Sequence, residues 1–493
     1  MSVPVLRLTQ MREWEQATWA TGQTEAEVIR RVGQCVARHA RQLTQTGDLI
    51  LILAGKGHNG DDARAARDHL TERRVEMLEV ASPETDLPKL EAELSRQPAL
   101  IIDGLFGTGL NRPLDEAWTK FIGRVNQARL PVLSVDVPSG LNVDTGEPAG
   151  RDSAIEAVVT LTIGAPKEGL LRPTAWPFVG RLEVATDVGL TACPPAGDWR
   201  WMLPEDFAGF PPRRPVAAHK GGFGHLAIIA GSAGYHGAAV LAARGAQRAQ
   251  PGLITLFTHE SVYHVVAPQL QAVMVNGWQP ALKLPGAVSA LLMGPGLAAP
   301  DLPDEIKMMT RRLWRDLPQP MIVDATALDW VPLDTASKGA IRVLTPHPGE
   351  AARFLKTTPQ LVQADRPRAL REISRRLGNC WVVLKGHQTF IGRSTGEVFV
   401  NSSGNPHLAQ GGSGDVLAGF IGGLLAQPGL QTDPGKALRY AVWQHGAAAD
   451  ALQARRRNWV VEDLFSEIGD VCPNSIGCSS LYSGKVTRKS NGV

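Results

Sequence analysis

The stretch Asn405-Pro-His-Leu-Ala-Gln-Gly-Gly-Ser-Gly-Asp-Val-Leu-Ala-Gly419 decides how the second half of this chain is read. Gly411, Gly412 and Gly414 crowd together, Asp415 follows at once, and Val416 opens an apolar run reaching Ala426. The pattern predicts a glycine-rich turn feeding a helix. The start of such a helix leaves backbone N–H groups unpaired at the positive end of the dipole, which suits an anion. The charge of Asp415 would repel a phosphate. A carboxylate there makes more sense as a base for a hydroxyl that attacks a phosphoryl group. The plainer reading is a turn with Asp415 as helix cap, and this stretch alone does not separate the two.

Working outward, strand–loop–helix units recur. His219-Lys-Gly-Gly-Phe-Gly-His225 precedes an apolar run over Leu226–Ala230, then Gly231-Ser-Ala-Gly-Tyr-His-Gly-Ala-Ala239, a helix to Ala249 and a strand over 253–257. Strands ending in Gly or polar residues are expected before Gly294-Pro-Gly296, Asp324, and Thr345-Pro-His-Pro-Gly-Glu350. The segment Trp381 to Ile391 reads as a hairpin around Lys385. In the first half, Val28, Ile29, Val32, Cys35 and Val36 recur at helical spacing. The run Leu49–Ala54 reads as a strand buried on both faces, which favours a parallel sheet. A helix reaching about Arg74 follows, then strands over 75–80, 100–103, 132–137 and 158–162. This alternation indicates a doubly wound α/β domain. Three polar clusters fall at strand ends, where such sheets bind ligands: Gly55–Ala63, Asp103–Leu110 and Asp136–Gly146.

The chain has 493 residues, too many for one core. The Pro-rich segment between Gly189 and Lys220 is a linker, with a boundary near residue 200. A hydrophobic share of 43% and a charged share of 20% describe an ordinary globular protein. The net charge of +3 is spread along the chain and argues for neither nucleic acid nor an anionic membrane surface. Cys35, Cys193, Cys380, Cys472 and Cys478 form no paired spacing, so neither a disulfide framework nor a zinc site is expected. Without a signal-like or membrane-spanning run, a cytosolic location is expected.

Two sets of motifs carry a resemblance. Gly55-Lys-Gly-His-Asn-Gly-Asp-Asp62, Asp103-Gly-Leu-Phe-Gly-Thr-Gly109 and Asp136-Val-Pro-Ser-Gly-Leu141 resemble the NAD(P)H-hydrate epimerase domain, over about residues 25–190. Thr345–Glu350, Leu384-Lys-Gly386 and the opening stretch resemble the ADP-dependent NAD(P)H-hydrate dehydratase domain, over about 215–465. Together they look like the bifunctional NAD(P)H-hydrate repair family, epimerase first. The resemblance implies a Rossmann-like domain over 1–200 and a ribokinase-like domain over 201–470. The polar tail over 471–493 matches no motif and is expected to be disordered.

The resemblance also implies roles. Asn59, Asp103 and Ser139 would hold potassium, and their oxygen-rich ligation independently suits a hard monovalent cation. The residues His58, Asn59, Gly60, Asp61 and Asp62, with Gly107, Thr108, Gly109, Leu110, Asn111, Arg112 and Pro113, would contact the hydrated nucleotide. Asp136 would also contact it and transfer a proton. In the second domain Ala238, Gly296 and His347 would contact the hydrated dinucleotide, and Asp415 would be the base. The loop Lys385, Gly386, His387, Gln388 and Thr389, with Gly412, Ser413 and Gly414, would hold ADP, and magnesium would accompany it. The implied partners are the hydrates of NADH and NADPH, with a homo-oligomer expected and neither nucleic acid nor membrane. His58 and Asp61 stand where the family has Asn and Gly, and the loop after Lys385 lacks one glycine. A ribokinase-fold small-metabolite kinase fused to a sugar- or nucleotide-binding Rossmann-like module is the alternative. A third reading is a non-enzymatic nucleotide sensor.

Overall fold

A computed structural model describes residues 2–472 except 111, 151, 194–196, 279–281, 283 and 334–338. Asn111 and the tail from residue 473 therefore lie outside the described residues. The chain divides into two compact units, one running from Ser2 to Trp201 and the other from Met202 onward.

In the first unit a short strand β1 (Val3–Pro4) pairs antiparallel with β8 (Trp199–Trp201). The main sheet holds β2 (Leu49–Ala54), β3 (Arg74–Glu79), β4 (Leu100–Gly104), β5 (Val132–Val135), β6 (Val159–Ile163) and β7 (Arg181–Ala185). All are parallel, in the order β3-β2-β4-β5-β6-β7. Every residue of β2 is buried, as a helix-covered parallel strand requires. Helix Glu25–Leu43 starts where the Thr24 side chain accepts from the Glu27 N–H, with Glu25 and Glu27 at its positive end. Its apolar stripe of Val28, Val32, Cys35 and Val36 covers one sheet face. Helix His58–Arg67 ends earlier than expected, because the chain turns at Asp68 to enter β3. The chain passes from β3 across β2 to β4. The switch point thus lies between the loops that follow β2 and β4, where a ligand crevice is expected.

The second unit repeats this logic with β9 (His225–Ile229), β10 (Leu253–His259), β11 (Met274–Trp278), β12 (Ala290–Met293), β13 (Met321–Val323), β14 (Arg342–Leu344), β15 (Trp381–Leu384), β16 (Phe390–Gly392) and β17 (Val398–Val400). Within the unit the order is β17-β16-β15-β14-β13-β12-β9-β10-β11, parallel except for the hairpin strands β16 and β17. Strand order reverses between β9 and β12, which places the Gly231 and Gly294–Gly296 loops at the crevice. Helices His236–Arg248 and Ser413–Leu425 cross this sheet in backbone contact. A Cβ on Gly419 would lie 1.9 Å from the Ala242 carbonyl, and one on Gly245 would lie 2.3 Å from the Val416 carbonyl. Only glycine lets these helices approach so closely. No helix among the described residues is long and apolar enough to cross a membrane.

Candidate active site

Each unit gathers its candidate residues at the carboxyl ends of its strands. In the first, Asp103 closes β4 and is fully buried. Its carboxylate accepts from Ser139 Oγ at 2.5 Å, Ser139 N at 2.9 Å, Ser134 Oγ at 2.8 Å and Leu105 N at 3.2 Å. All four donors are neutral, and burial pushes its pKa up. The Phe106 carbonyl accepts from Asn59 Nδ2 at 2.9 Å and Ser139 Oγ at 3.2 Å, so Asn59, Asp103 and Ser139 do converge. A buried anion ringed by neutral donors, with amide, hydroxyl and carbonyl oxygens beside it, fits a monovalent cation. Among the described residues no cluster of three or more His, Cys, Asp or Glu is arranged to hold a metal.

Asp136 sits just past β5 with φ +61°, a left-handed conformation that costs a non-glycine residue energy and recurs at functional sites. Its Oδ1 accepts from Ile163 N at 2.9 Å, from Thr162 Oγ1 at 3.2 Å and from the Lys167 ammonium. Lys167 is fully buried and also donates to Thr162 Oγ1 at 3.0 Å and to the Ile163 carbonyl at 3.1 Å. The N-terminal segment fixes this lysine in place. Leu6 N donates to the Pro166 carbonyl at 2.8 Å and Glu168 N to the Leu6 carbonyl at 2.8 Å. Lys167 was absent from the sequence reading, since a lone lysine after Gly-Ala-Pro carries no spacing signal. Asp62 faces the same pocket, and burial, then the charges of Asp136, Asp61 and Glu15, hold its carboxyl well above the usual range.

The neighbouring loop residues separate into two groups. Asn59, Gly60 and Asp62 are buried, and a Cβ on Gly60 would lie 2.1 Å from the Gly55 carbonyl. His58, Gly109, Arg112 and Pro113 are exposed, while Gly107, Thr108 and Leu110 are half-buried. Asp61 turns to Arg64, whose Nη1 donates to it at 2.7 Å. Its charge is therefore paired with Arg64 on the same helix.

In the second unit Asp324 closes β13, Thr345 follows β14 and Lys385 follows β15. Lys385 Nζ donates to Asp324 Oδ1 at 2.7 Å, and Thr345 Oγ1 donates to the same oxygen at 2.6 Å. Burial opposes the Lys385 charge, but Asp324 and Glu350 outweigh it and hold the ammonium above its usual range. The Lys385 ammonium would stand 3.4 Å from a Cβ on Gly414, so the lysine meets the glycine-rich turn. Helix Ser413–Leu425 is capped by Gly412 at φ +91°, not by Asp415, which corrects the plainer reading. Asp415 sits in the first turn, and its carboxyl has no hydrogen-bond partner among the described residues. Burial, then Asp324, push Asp415 up to about 7 against the lowering effect of Lys385. An unpartnered carboxyl that titrates near neutrality is what a general base needs.

His347 caps its own helix, its Nδ1 accepting from Gly349 N at 3.0 Å, while Glu350 accepts from His347 N at 2.8 Å. Gly296 lies against Ala238, where a Cβ would come within 2.9 Å of that methyl group. Ser413 Oγ stands 3.4 Å from Nε2 of His445, which burial pushes down to about 4 and keeps neutral.

Sequence reasoning also missed Arg366. This arginine is 3% exposed and donates to the carbonyls of Leu384 at 3.0 Å, Lys385 at 3.3 Å, Gln388 at 3.1 Å and also His387. Its guanidinium lies 4.7 Å from the Phe390 ring centroid. One guanidinium thus ties down the Lys385–Thr389 loop, within which Thr389 Oγ1 donates to the Gly386 carbonyl at 3.2 Å. The signal available in the sequence was an arginine on a helix nineteen positions before a strand-end lysine, which has no recognisable spacing.

The model for the family described as NAD(P)H-hydrate dehydratase matches residues 226–471. The model for the YjeF-related protein N-terminus matches 25–90 and 74–169. A bifunctional NAD(P)H-hydrate repair enzyme of Gloeobacter violaceus is 35% identical over 484 residues, covering 90% of this chain and 93% of its own. Its counterpart in Escherichia coli is 31% identical, covering 92% of this chain and 90% of its own. A solved structure of an ADP/ATP-dependent NAD(P)H-hydrate dehydratase from Bacillus subtilis is 31% identical with a TM-score of 0.49, covering 54% of this chain and 95% of its own. The relatives match across both halves of the chain, in the order its two sets of motifs require, so the chain belongs to the family of bifunctional NAD(P)H-hydrate repair enzymes.

Proposed function

We propose that the first unit interconverts the R and S hydrates of NADH and NADPH, and that the second dehydrates the S form at the expense of ADP. The observation that carries the second activity is Asp415: a carboxyl with no partner, raised to about 7, at the start of a helix and beside Lys385. Asp415 takes the proton of the C6 hydroxyl as the ADP β-phosphoryl passes to that oxygen. Backbone N–H groups of Gly412, Ser413 and Gly414 and the Lys385 ammonium stabilise the charge on the transferring group. The ring nitrogen then expels phosphate from C6, C5 loses a proton, and the C5=C6 bond re-forms to give NAD(P)H, AMP and phosphate. His347, Ala238 and Gly296 hold the dinucleotide. Magnesium neutralises the phosphate charge when bound. Asp324, held by Lys385 and Thr345, would lie beside that charge, and the ion would supply its electrostatic neutralisation.

In the first unit Asp136 handles the proton at the C6 oxygen, and Lys167 holds its carboxylate in place. Asn59, Ser139 and the Phe106 carbonyl would hold potassium beside Asp103, where the cation offsets the buried charge. The domain boundary near residue 200 belongs to this reading. The test is incubation of the full chain with the pure S hydrate of NADH, ADP and magnesium. Absorbance at the reduced-nicotinamide wavelength returns and AMP accumulates; a stable phosphorylated product without absorbance recovery favours the kinase reading instead.

A further inference from the structure

The second unit contains a cavity of about 520 Å³ just before the starts of β9 and β10, at the sheet edge opposite Asp324, Lys385 and Asp415. Its size falls in the range of about 300–1,000 Å³ typical of small-ligand sites. The floor is buried and apolar, made by Phe420, Leu424, Leu430 and Tyr440. The rim carries Arg213, Arg214 and Arg248, against a single acid, Asp470. Arg214 lies 3.8 Å from the Phe223 ring centroid and donates to the Gln250 carbonyl, and no carboxylate among the described residues pairs with it. The guanidiniums of Arg213 and Arg248 have no hydrogen-bond or ion-pair partner among the described residues.

We propose that this cavity is a second ligand site, taking a small organic anion that carries a planar ring. Fork-shaped guanidiniums suit a carboxylate, phosphate or sulfonate group at the rim. An inorganic anion would leave the aromatic floor unfilled, whereas a ring packs against Phe420, Tyr440 and Phe223. The lining holds no nucleophile beside a base, so the site binds and does not transform its ligand. Its position gives binding a consequence. Phe420 and Leu424 belong to the helix that starts at the Asp415 turn, and Gln247 and Arg248 end the helix that starts near Ala238. A ligand here therefore rests on the far ends of the two glycine-locked helices whose first turns build the reaction site.

Anilinonaphthalene sulfonate, a fluorescent ring-bearing anion, tests this on the full chain. One saturable class of sites is expected. The charge-reversed variant R213E/R248E should weaken it by about tenfold or more, a change readily resolved as a shift in Kd. The variant G222W fills the cavity without altering charge. Gly222 lines it, and a Cβ there meets nothing within 4 Å. It should weaken binding likewise, with ADP-dependent turnover and thermal midpoint unchanged in both variants. Absence of saturable binding to the native chain, or an affinity unchanged in both variants, overturns the proposal.

Discussion

Replacing Asp324 with Asn is the sharpest probe of the reaction site, because it changes the titration of Asp415 without touching it. Burial is the larger cause of the shift to about 7 and Asp324 the second. The rise from 3.8 to about 7 corresponds to roughly 4 kcal/mol between the two protonation states. A neighbouring unit charge in an effective dielectric of about 20 supplies roughly 2–4 kcal/mol, or about two pH units before discounting for solvent. Asn preserves the acceptor for Thr345 and removes that charge. It also releases Lys385 from its 2.7 Å partner, and a freed ammonium favours the ionised base further. The acid limb of the pH–rate profile, centred near 7 in the native enzyme, should therefore move down by about one to two units in D324N. Absolute turnover falls as Lys385 loses its anchor, so the midpoint of the limb is the readout. An unmoved limb in D324N, or a native rate independent of pH between about 5.5 and 8.5, would refute Asp415 as the base.

The same shift has a stability consequence of definite sign. A carboxyl whose folded pKa lies above its unfolded one binds the extra proton in the native state between about pH 4 and 7. Native stability from this group is therefore present below that window and lost as pH rises through it. D415N cannot ionise, so it should unfold at a higher temperature than the native chain at pH about 8, by up to ~4 kcal/mol, and lose this advantage near pH 4. A melting temperature at pH 8 below the native value would contradict the buried, unpartnered placement.

Three further outcomes follow. R366K keeps a charge but cannot fork among the carbonyls of Leu384, Lys385, His387 and Gln388; each carbonyl left unpaired costs about 1–3 kcal/mol, so KM for ADP should rise at least tenfold while the acid limb stays in place. Exchanging potassium for lithium should lower the thermal midpoint of the first unit and slow R–S equilibration, leaving dehydration of the pure S hydrate unchanged; equal loss in both activities would remove the cation from beside Asp103. K167M strips Asp136 of its buried counter-ion, a loss of about 3–5 kcal/mol by analogy with broken buried pairs, and should abolish epimerisation; D136N/K167M should regain stability but not activity.

Much of this site was legible in the residues themselves. Glycine-rich turns after apolar runs marked the strand ends, and the grouping of Asn59, Asp103 and Ser139 came from the family resemblance, the three being neighbours around the Phe106 carbonyl and the Asp103 carboxylate. The strand runs at Leu49–Ala54 and Leu226–Ala230 were readable because helix-covered parallel strands are apolar on both faces. Other features were hidden for physical reasons. Strand β8 sits in a Pro- and Trp-rich stretch whose only cue was against strand, and it exists because β1 offers an edge to pair with. Lys167 and Arg366 act through tertiary placement: one is pinned by the N-terminal segment, the other reaches from a helix into a loop. Neither belongs to a local pattern, so no spacing could reveal them.

The two candidate bases show how environment, not residue type, assigns the chemistry. Both are aspartates at turns, Asp136 just past strand β5 and Asp415 in the first turn of helix Ser413–Leu425. Asp136 is closed in by Lys167, Thr162 and the Ile163 N–H, and its backbone is held at φ +61°. Such a carboxylate is fixed in direction, which suits a reversible exchange at one carbon where neither hand is favoured. Asp415 lies near Asp324 and Glu350, has no hydrogen-bond donor of its own among the described residues, and stands in the first turn of a helix. Its proton affinity is raised by burial and by like charge, which makes its carboxylate a stronger base than an exposed aspartate. The lysine that could have quenched it is committed to Asp324. Exchanging the two settings, by removing Lys167 from one or Asp324 from the other, should therefore damage each reaction in a different way: loss of geometry in the first unit, a displaced pH limb in the second.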